Sequence, residues 1–366
     1  MSNVYRIIPV FVPHKGCPFD CVFCNQKKIT GLSTDVTKEN VEETVKEYIR
    51  TIPDCNEELE IAFYGGSFTA IDMGTQEELL EVAYRYKNKG LIDRIRLSTR
   101  PDYIDYKRLS LLKKYQVDTI ELGVQSMDEG VLKKSNRGHT SNHVREAVEL
   151  IREYKFNLGV QMMLGLPGDN KEKSLYTGIE IIKLKPDFVR IYPTLVVKDT
   201  YLEKLNDNGK YKPLSLNEAI DISSELLMLF KYYGITVIRI GLQPSENITL
   251  DGDVVAGPFH PAIRQLVESR VYREVLNQYF SENVYSEDIV IGINKKMIST
   301  FVGQKKENIK YIKEKYNISN IKVISEEIDK DCINIYMNEA KDHIVIKDYI
   351  QLYLEKRNLL SKVEYK

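Results

Sequence analysis

The first two-thirds of the chain alternates short apolar runs with longer stretches whose apolar residues recur every three or four positions. The runs at 6–12, 60–64, 94–99, 119–124, 157–164 and 188–193 read as strands. Between them, residues 38–51, 75–88, 106–115, 141–154 and 171–184 carry the helical period. Strands regularly separated by helices predict a parallel sheet. Six such units predict an α/β fold, a partial (β/α)6 barrel over residues 1–245. In that architecture reactive residues gather on loops at the C-terminal ends of strands.

The helix and strand pattern goes on past the sixth strand, and the character changes from about Ser286. Residues 216–233 read as a helix and 235–240 as a strand. The stretch 243–261 is richer in Gly and Pro, and 262–280 is helical, so 246–285 reads as a connecting segment. Beyond it, strands at 288–293, 321–325 and 332–337 and helices at 296–302, 307–316 and 343–356 predict a small α+β domain over 286–366.

Composition narrows the class. A chain of 366 residues with 43% hydrophobic content can bury a large core. A formal net charge of −1, with 29% charged residues of mixed sign, gives no global pull toward nucleic acid or an anionic membrane, so any polyanion must be met by a local patch. The N-terminal apolar run is short and broken by Pro9 and Pro13, which argues against a signal peptide. No run approaches the roughly 20 apolar residues a membrane span needs. The expectation is a cytoplasmic protein with no membrane partner.

Five cysteines stand at 17, 21, 24, 55 and 332, and three of them fall within eight residues. An odd count in a long chain argues against a secreted disulfide framework. Cys17, Cys21 and Cys24 have C-x3-C-x2-C spacing, close enough for one loop to wrap an iron–sulfur cubane. Three thiolates leave one iron open, as a catalytic site requires. The competing reading is zinc, with His14 or Cys55 as fourth ligand; structural zinc usually shows paired C-x2-C units instead.

That triplet, with Phe23 just before its last cysteine, resembles the signature of the radical S-adenosylmethionine superfamily. The resemblance implies a [4Fe–4S] cluster whose open iron takes the amino and carboxylate groups of S-adenosyl-L-methionine. It also implies one-electron cleavage of the sulfonium to a 5′-deoxyadenosyl radical, and an electron donor such as ferredoxin or flavodoxin. Gly65 and Gly66 then match the glycine motif whose backbone meets the methionine ammonium, where absence of Cβ allows close approach. Ser98, three residues before Pro101, matches a contact to ribose or carboxylate, although some relatives carry Glu there; the alternative is a strand-to-helix turn capped by Asp102. Gln125 matches a ribose contact, Arg137 a guanidinium on the methionine carboxylate, and Gln161 a position that is acidic in heme-pathway relatives. Leu164-Gly165-Leu166-Pro167-Gly168 would line the adenine pocket, or would simply pack.

Within the superfamily, Ser98–Asp102, Glu121–Ser126, Asn136–Thr140 and Arg190–Val197 resemble the radical domain of the elongator catalytic subunit, which modifies the wobble uridine of tRNA. Its acetyltransferase domain has no counterpart here, and its first cysteine gap is much longer. The cysteine spacing is closer to the anaerobic coproporphyrinogen oxidase group, so a small-molecule radical reaction in tetrapyrrole metabolism is the alternative enzyme reading. A non-enzymatic heme- or cluster-handling protein is the third. Strand, helix, Gly303-Gln304-Lys305-Lys306, helix and strand resemble a KH-type RNA-binding unit with Lys306 in place of the second glycine. Lys295, Lys296, Lys305, Lys306, Lys310 and Lys313 make a basic neighbourhood that would meet the phosphates of RNA or would simply be solvated. His260 would close the site or serve as a satisfied loop residue, and Tyr192 would face the barrel mouth or pack.

Overall fold

The computed structural model describes residues 5–12, 21–25, 36–51, 58–242, 248–249, 252–282, 288–338 and 340–363. Cys17, His14 and Cys55 lie outside the described residues.

Strands β1 (Tyr5–Val12), β2 (Glu58–Gly65), β3 (Arg94–Thr99), β4 (Thr119–Gln125), β5 (Asn157–Leu164) and β6 (Phe188–Pro193) follow the apolar runs of the sequence. β7 (Val196–Val197) pairs antiparallel with a short strand, Val254–Ala256, and β8 is Thr236–Ile240. The main sheet has the order β1-β2-β3-β4-β5-β6-β8 and is parallel throughout. The predicted six-unit half-barrel therefore carries a seventh strand, Thr236–Ile240, at its edge.

Period-two alternation decides the two faces. Ile61, Phe63, Ile95, Leu97, Ile120, Leu122, Val160, Met162, Val189 and Ile191 turn one way and are fully or almost fully buried under the helices. The other face is polar, with Glu60, Arg96, Glu121, Gln161 and Arg190 at the alternate positions. Helices begin where a short polar side chain accepts a first-turn N–H: Asp72 from Thr75, Asp105 from Arg108, Asn170 from Lys173 and Ser215 from Glu218. Asp102 is not a cap. Its carboxylate takes two hydrogen bonds from Arg100, Nε at 2.9 Å and Nη2 at 2.9 Å, and Asp105 caps the helix instead.

After the short strand β9 (Val254–Ala256), the helix Ile263–Glu282 packs on Leu216–Tyr232 from the half-barrel side. It also packs on Ile298–Val302, Glu307–Tyr316 and Ile346–Lys356 from the C-terminal side, inside one continuous apolar cluster. The C-terminal sheet has the order β11 (Asn320–Glu326), β10 (Asp288–Asn294), β12 (Cys332–Met337), β13 (Ala340–Val345). The predicted helix at 343–356 starts later. Residues Ala340–Val345 form a fourth strand, antiparallel to β12, and the helix runs Ile346–Lys356. Asn338, at φ +55°, turns the hairpin, and Ile344 is the strand's one core residue, too weak a pattern to read in advance. Among the described residues no helix is long and apolar enough to cross a membrane.

Candidate active site at the strand ends

The described part of the cysteine loop, Cys21–Asn25, is fastened to its surroundings. Val22 donates to the Ser135 carbonyl at 3.1 Å and accepts from Leu202 N at 2.7 Å, while its side chain packs with Val196 and Leu202. Asn25 Nδ2 donates to the Lys198 carbonyl at 3.0 Å. Cys24 N closes a turn on Cys21 O at 2.9 Å. Cys21 is buried, Cys24 is half-buried, and both are outside any disulfide. Among the described residues no three His, Cys, Asp or Glu side chains gather for a metal; the third cysteine of the loop, Cys17, is not one of those residues.

Arg137 comes to the same place from the loop after the helix Glu129–Lys134. Its Nη1 donates to Cys21 Sγ at 3.4 Å and its Nη2 to Gly123 O at 2.7 Å. Arg137 Nε is buried and has no acceptor among the described residues. Gly123 is glycine for a spatial reason: a Cβ there would stand 2.8 Å from Arg137 Nη2 and 3.1 Å from Gln125 Nε2. Arg100 Nη2 secures the Arg137 carbonyl at 2.6 Å, so the Arg100–Asp102 pair braces the arginine loop.

The strand ends converge around it. Gly65 has φ +106°, and a Cβ would collide with the carbonyl oxygen of Val12, its partner on β1, so the end of β2 takes a conformation only glycine permits. Gly65, Gly66, Ser98 and Gln161 are half-buried on the concave side. Gln125 is buried at φ +66°, where β4 shifts register against β5, and Gln161 Nε2 reaches Gln125 Oε1 at 3.4 Å. A non-glycine residue in the left-handed region costs of order 1–2 kcal/mol, which the surrounding sheet must offset. Beneath Ser98, Thr99 Oγ1 bonds Ser67 Oγ at 2.9 Å, tying the ends of β2 and β3 together.

Charges below this level form a buried network that sequence reading missed. Arg96 Nη2 meets Glu60 Oε2 at 2.6 Å and Arg96 Nη1 meets Glu121 Oε1 at 2.8 Å. Arg190 Nε lies 3.0 Å from Glu121 Oε2. Arg190 also donates to Tyr64 OH at 3.1 Å and Tyr192 OH at 3.4 Å. Burial pushes the Glu60 carboxyl up, although Arg96 opposes it. Burial alone would weaken the Arg190 cation; Glu121 and the two tyrosines outweigh it and hold it firmly protonated. A signal was present in the sequence: E-I-A-F, R-I-R-L, T-I-E-L and F-V-R-I put charge at alternate positions of strands otherwise apolar enough to be covered on both faces.

His260 lines a small cavity of about 10 Å³ with Pro193, Leu195, Gly241, Phe259 and Ile263, and its Nδ1 accepts from Ala262 N at 3.1 Å. Leu166 is buried, and Gly165 at φ +73° closes its loop onto Asp169 and Tyr211.

A parallel half-barrel with a cysteine loop behind its first strand and glycine and arginine at the neighbouring strand ends defines the radical S-adenosylmethionine class of enzyme. The chain belongs to the Radical SAM superfamily, whose members use S-adenosylmethionine and an iron–sulfur cluster: residues 11–175 match that superfamily and residues 186–273 match the Radical SAM C-terminal domain. Elongator complex protein 3 of Danio rerio is 36% identical over 138 residues, 37% of this chain and 25% of that protein. A tRNA uridine(34) acetyltransferase of Dehalococcoides mccartyi is 26% identical over 303 residues, 73% of this chain and 65% of that protein. The chain thus aligns with about a quarter of the first relative and under two-thirds of the second. Among solved structures, the archaeal Methanocaldococcus infernus Elp3 with an N-terminal deletion superposes with a TM-score of 0.59 at 18% identity, over 95% of this chain and 76% of that one, a likeness of fold.

Proposed function

We propose that the chain is a radical enzyme that modifies RNA, of the tRNA class, with a [4Fe–4S] cluster on Cys17, Cys21 and Cys24 and S-adenosylmethionine against Gly65, Gly66, Ser98, Gln125, Arg137 and Gln161. The observation that carries the reading is Arg137. A buried guanidinium 3.4 Å from a cysteine sulfur, with a further buried N–H lacking an acceptor among the described residues, suits a thiolate and a carboxylate better than a neutral thiol and an uncharged surrounding. When bound, the cluster and cofactor supply a 5′-deoxyadenosyl radical by one-electron cleavage of the sulfonium.

This chain's residues do the holding. Arg137 orients the cysteine loop against β4, the bare backbone at Gly65 lets a ligand approach closely, and Gln125 and Gln161 offer amides on one side. The relatives' names supply the RNA reading, and the C-terminal part supports it. Lys295, Lys296, Lys305 and Lys306 are exposed and have no acidic partner among the described residues. In this reading residues 1–245 carry the radical chemistry, 246–285 connect, and 286–366 hold RNA in the manner of a KH unit.

The test is anaerobic reconstitution of the full chain with iron and sulfide, then reduction with S-adenosylmethionine and either unfractionated tRNA or a porphyrinogen. Release of 5′-deoxyadenosine should rise with tRNA and not with the porphyrinogen, and Ala at any of the three cysteines should abolish both the cluster absorbance and the release. Stimulation by the porphyrinogen alone would transfer the enzyme to tetrapyrrole chemistry.

A further inference from the structure

Two tyrosine hydroxyls on the concave face are held but not spent. Arg190 donates to the oxygens of both Tyr64 and Tyr192, at 3.1 and 3.4 Å. A hydroxyl that accepts from a cation still owns its proton. Among the described residues neither O–H has an acceptor, and both tyrosines are half-buried, facing the open side of the half-barrel. Burial raises the Tyr64 phenol above its ordinary range, so it remains a donor.

The guanidinium behind them is held from its far side. That side lies on Glu121, itself shared with Arg96, and Arg190 Cζ sits 5.4 Å from the Tyr64 ring centroid. Two arginines against Glu60 and Glu121 leave this floor with no net charge. Such a floor gives no preference to an anion; it offers two fixed donors to a neutral acceptor. Phe11, 36% exposed and with its ring 6.4 Å from that of Tyr64, adds an apolar wall.

Charge returns at the edge. β8 is bulged so that Arg239 aligns with Arg190 across the last strand pair. Arg239 is half-buried and has no anionic partner among the described residues. One surface thus combines a neutral two-donor floor, an aromatic wall and a single uncompensated cation.

We propose that this surface takes one nucleotide unit: Tyr64 and Tyr192, positioned by Arg190, read the carbonyl oxygens of an uncharged base, and Arg239 meets its phosphate. The proposal rests on the RNA reading above and assigns the residues that would select the base. Uracil, with two ring carbonyls, suits two donors; cytosine replaces one of those acceptors with an amino donor.

The experiment uses the reconstituted full chain with S-adenosylmethionine and measures binding of uridine 5′-monophosphate, cytidine 5′-monophosphate and uridine by equilibrium dialysis or NMR line broadening. Uridine monophosphate should bind about tenfold more tightly than the cytidine nucleotide, the scale of one good hydrogen bond. The double variant Tyr64→Phe, Tyr192→Phe keeps the rings and should bring the two nucleotides within about twofold of each other. Arg239→Gln should weaken both nucleotides alike while leaving uridine unchanged. Cofactor binding and melting temperature, unaltered in these variants, exclude simple misfolding, and Tyr192→Phe alone serves if the double variant does not fold.

A wild-type protein indifferent to the base, or a double-Phe variant that still discriminates, overturns the proposal. The two readings separate cleanly. Base discrimination without tRNA-stimulated cofactor cleavage sinks the RNA function and leaves the nucleotide surface. The reverse result sinks the surface alone.

Discussion

His139 is kept neutral by its position behind the arginines. It is 3% exposed, and its ring Nε2 lies 3.1 Å from the Val124 carbonyl, which accepts only, so the proton must sit on Nε2. Burial, reinforced by Arg137 and Arg100, lowers its pKa from 6.5 to about 2. The unfolded chain therefore takes up a proton below about pH 6.5 that the folded chain refuses, and stability falls as pH falls through that window. His139→Gln retains a donor for Val124 and cannot titrate. Between about pH 7 and about pH 5 the wild type should lose about 2 kcal/mol relative to this variant, read from urea unfolding at each pH. A stability difference that does not change with pH would mean that the imidazole takes up its proton as readily in the fold as in the unfolded chain.

Strands show where sequence reading succeeds and where it stops. The apolar members of each strand alternate, so the strands, their parallel order and the position of the glycines were all legible. Which charges meet was not. Glu121 joins Arg96 and Arg190, residues 25 and 69 positions away, and only the register of β3, β4, β5 and β6 brings them together. Gly159 belongs to the same device, because a Cβ there would strike the Phe188 ring and crowd Glu121. Gln125 and Gln161, chosen by resemblance, lie side by side for the same reason of register. The fourth C-terminal strand escaped because a single core residue, Ile344, gives no period to read. Removing one carboxylate from a buried network leaves two guanidinium groups without their shared partner, so Glu121→Gln should cost about 3 kcal/mol or more. The exposed pair Lys114–Glu77, with side chains 61% and 44% accessible, is the control: Glu77→Gln should cost under about 1 kcal/mol. Chemical denaturation of both variants decides it, and equal losses would mean the interior network is no more than a surface pair.

At the scale of the whole molecule, the C-terminal sheet is locked to the half-barrel rather than tethered. Glu225, almost fully buried on the helix Leu216–Tyr232, takes Lys171 from the half-barrel at 2.8 Å and Arg357 and Tyr353 from the last helix, each at 2.9 Å. Asn308, fully buried, donates through Nδ2 to Ser269 O at 2.8 Å and Phe301 O at 2.8 Å, pinning the turn before the helix Glu307–Tyr316 onto the helix Ile263–Glu282. That turn displays Lys305 and Lys306 at φ +51° and +58°, two adjacent left-handed lysines held outward by a buried anchor. In the RNA reading proposed above, these two lysines would meet a phosphate backbone. Each phosphate neutralised on a single strand releases counterions and adds about 0.7 to the slope of log affinity against log salt. Replacing both lysines by Glu in the full chain should lower tRNA affinity at least tenfold at low salt and flatten that slope by about 1–2, with cofactor binding unchanged. Filter binding across a salt series measures both quantities, and a slope that stays where it was would remove this surface from the RNA path and leave the half-barrel to bind its substrate alone.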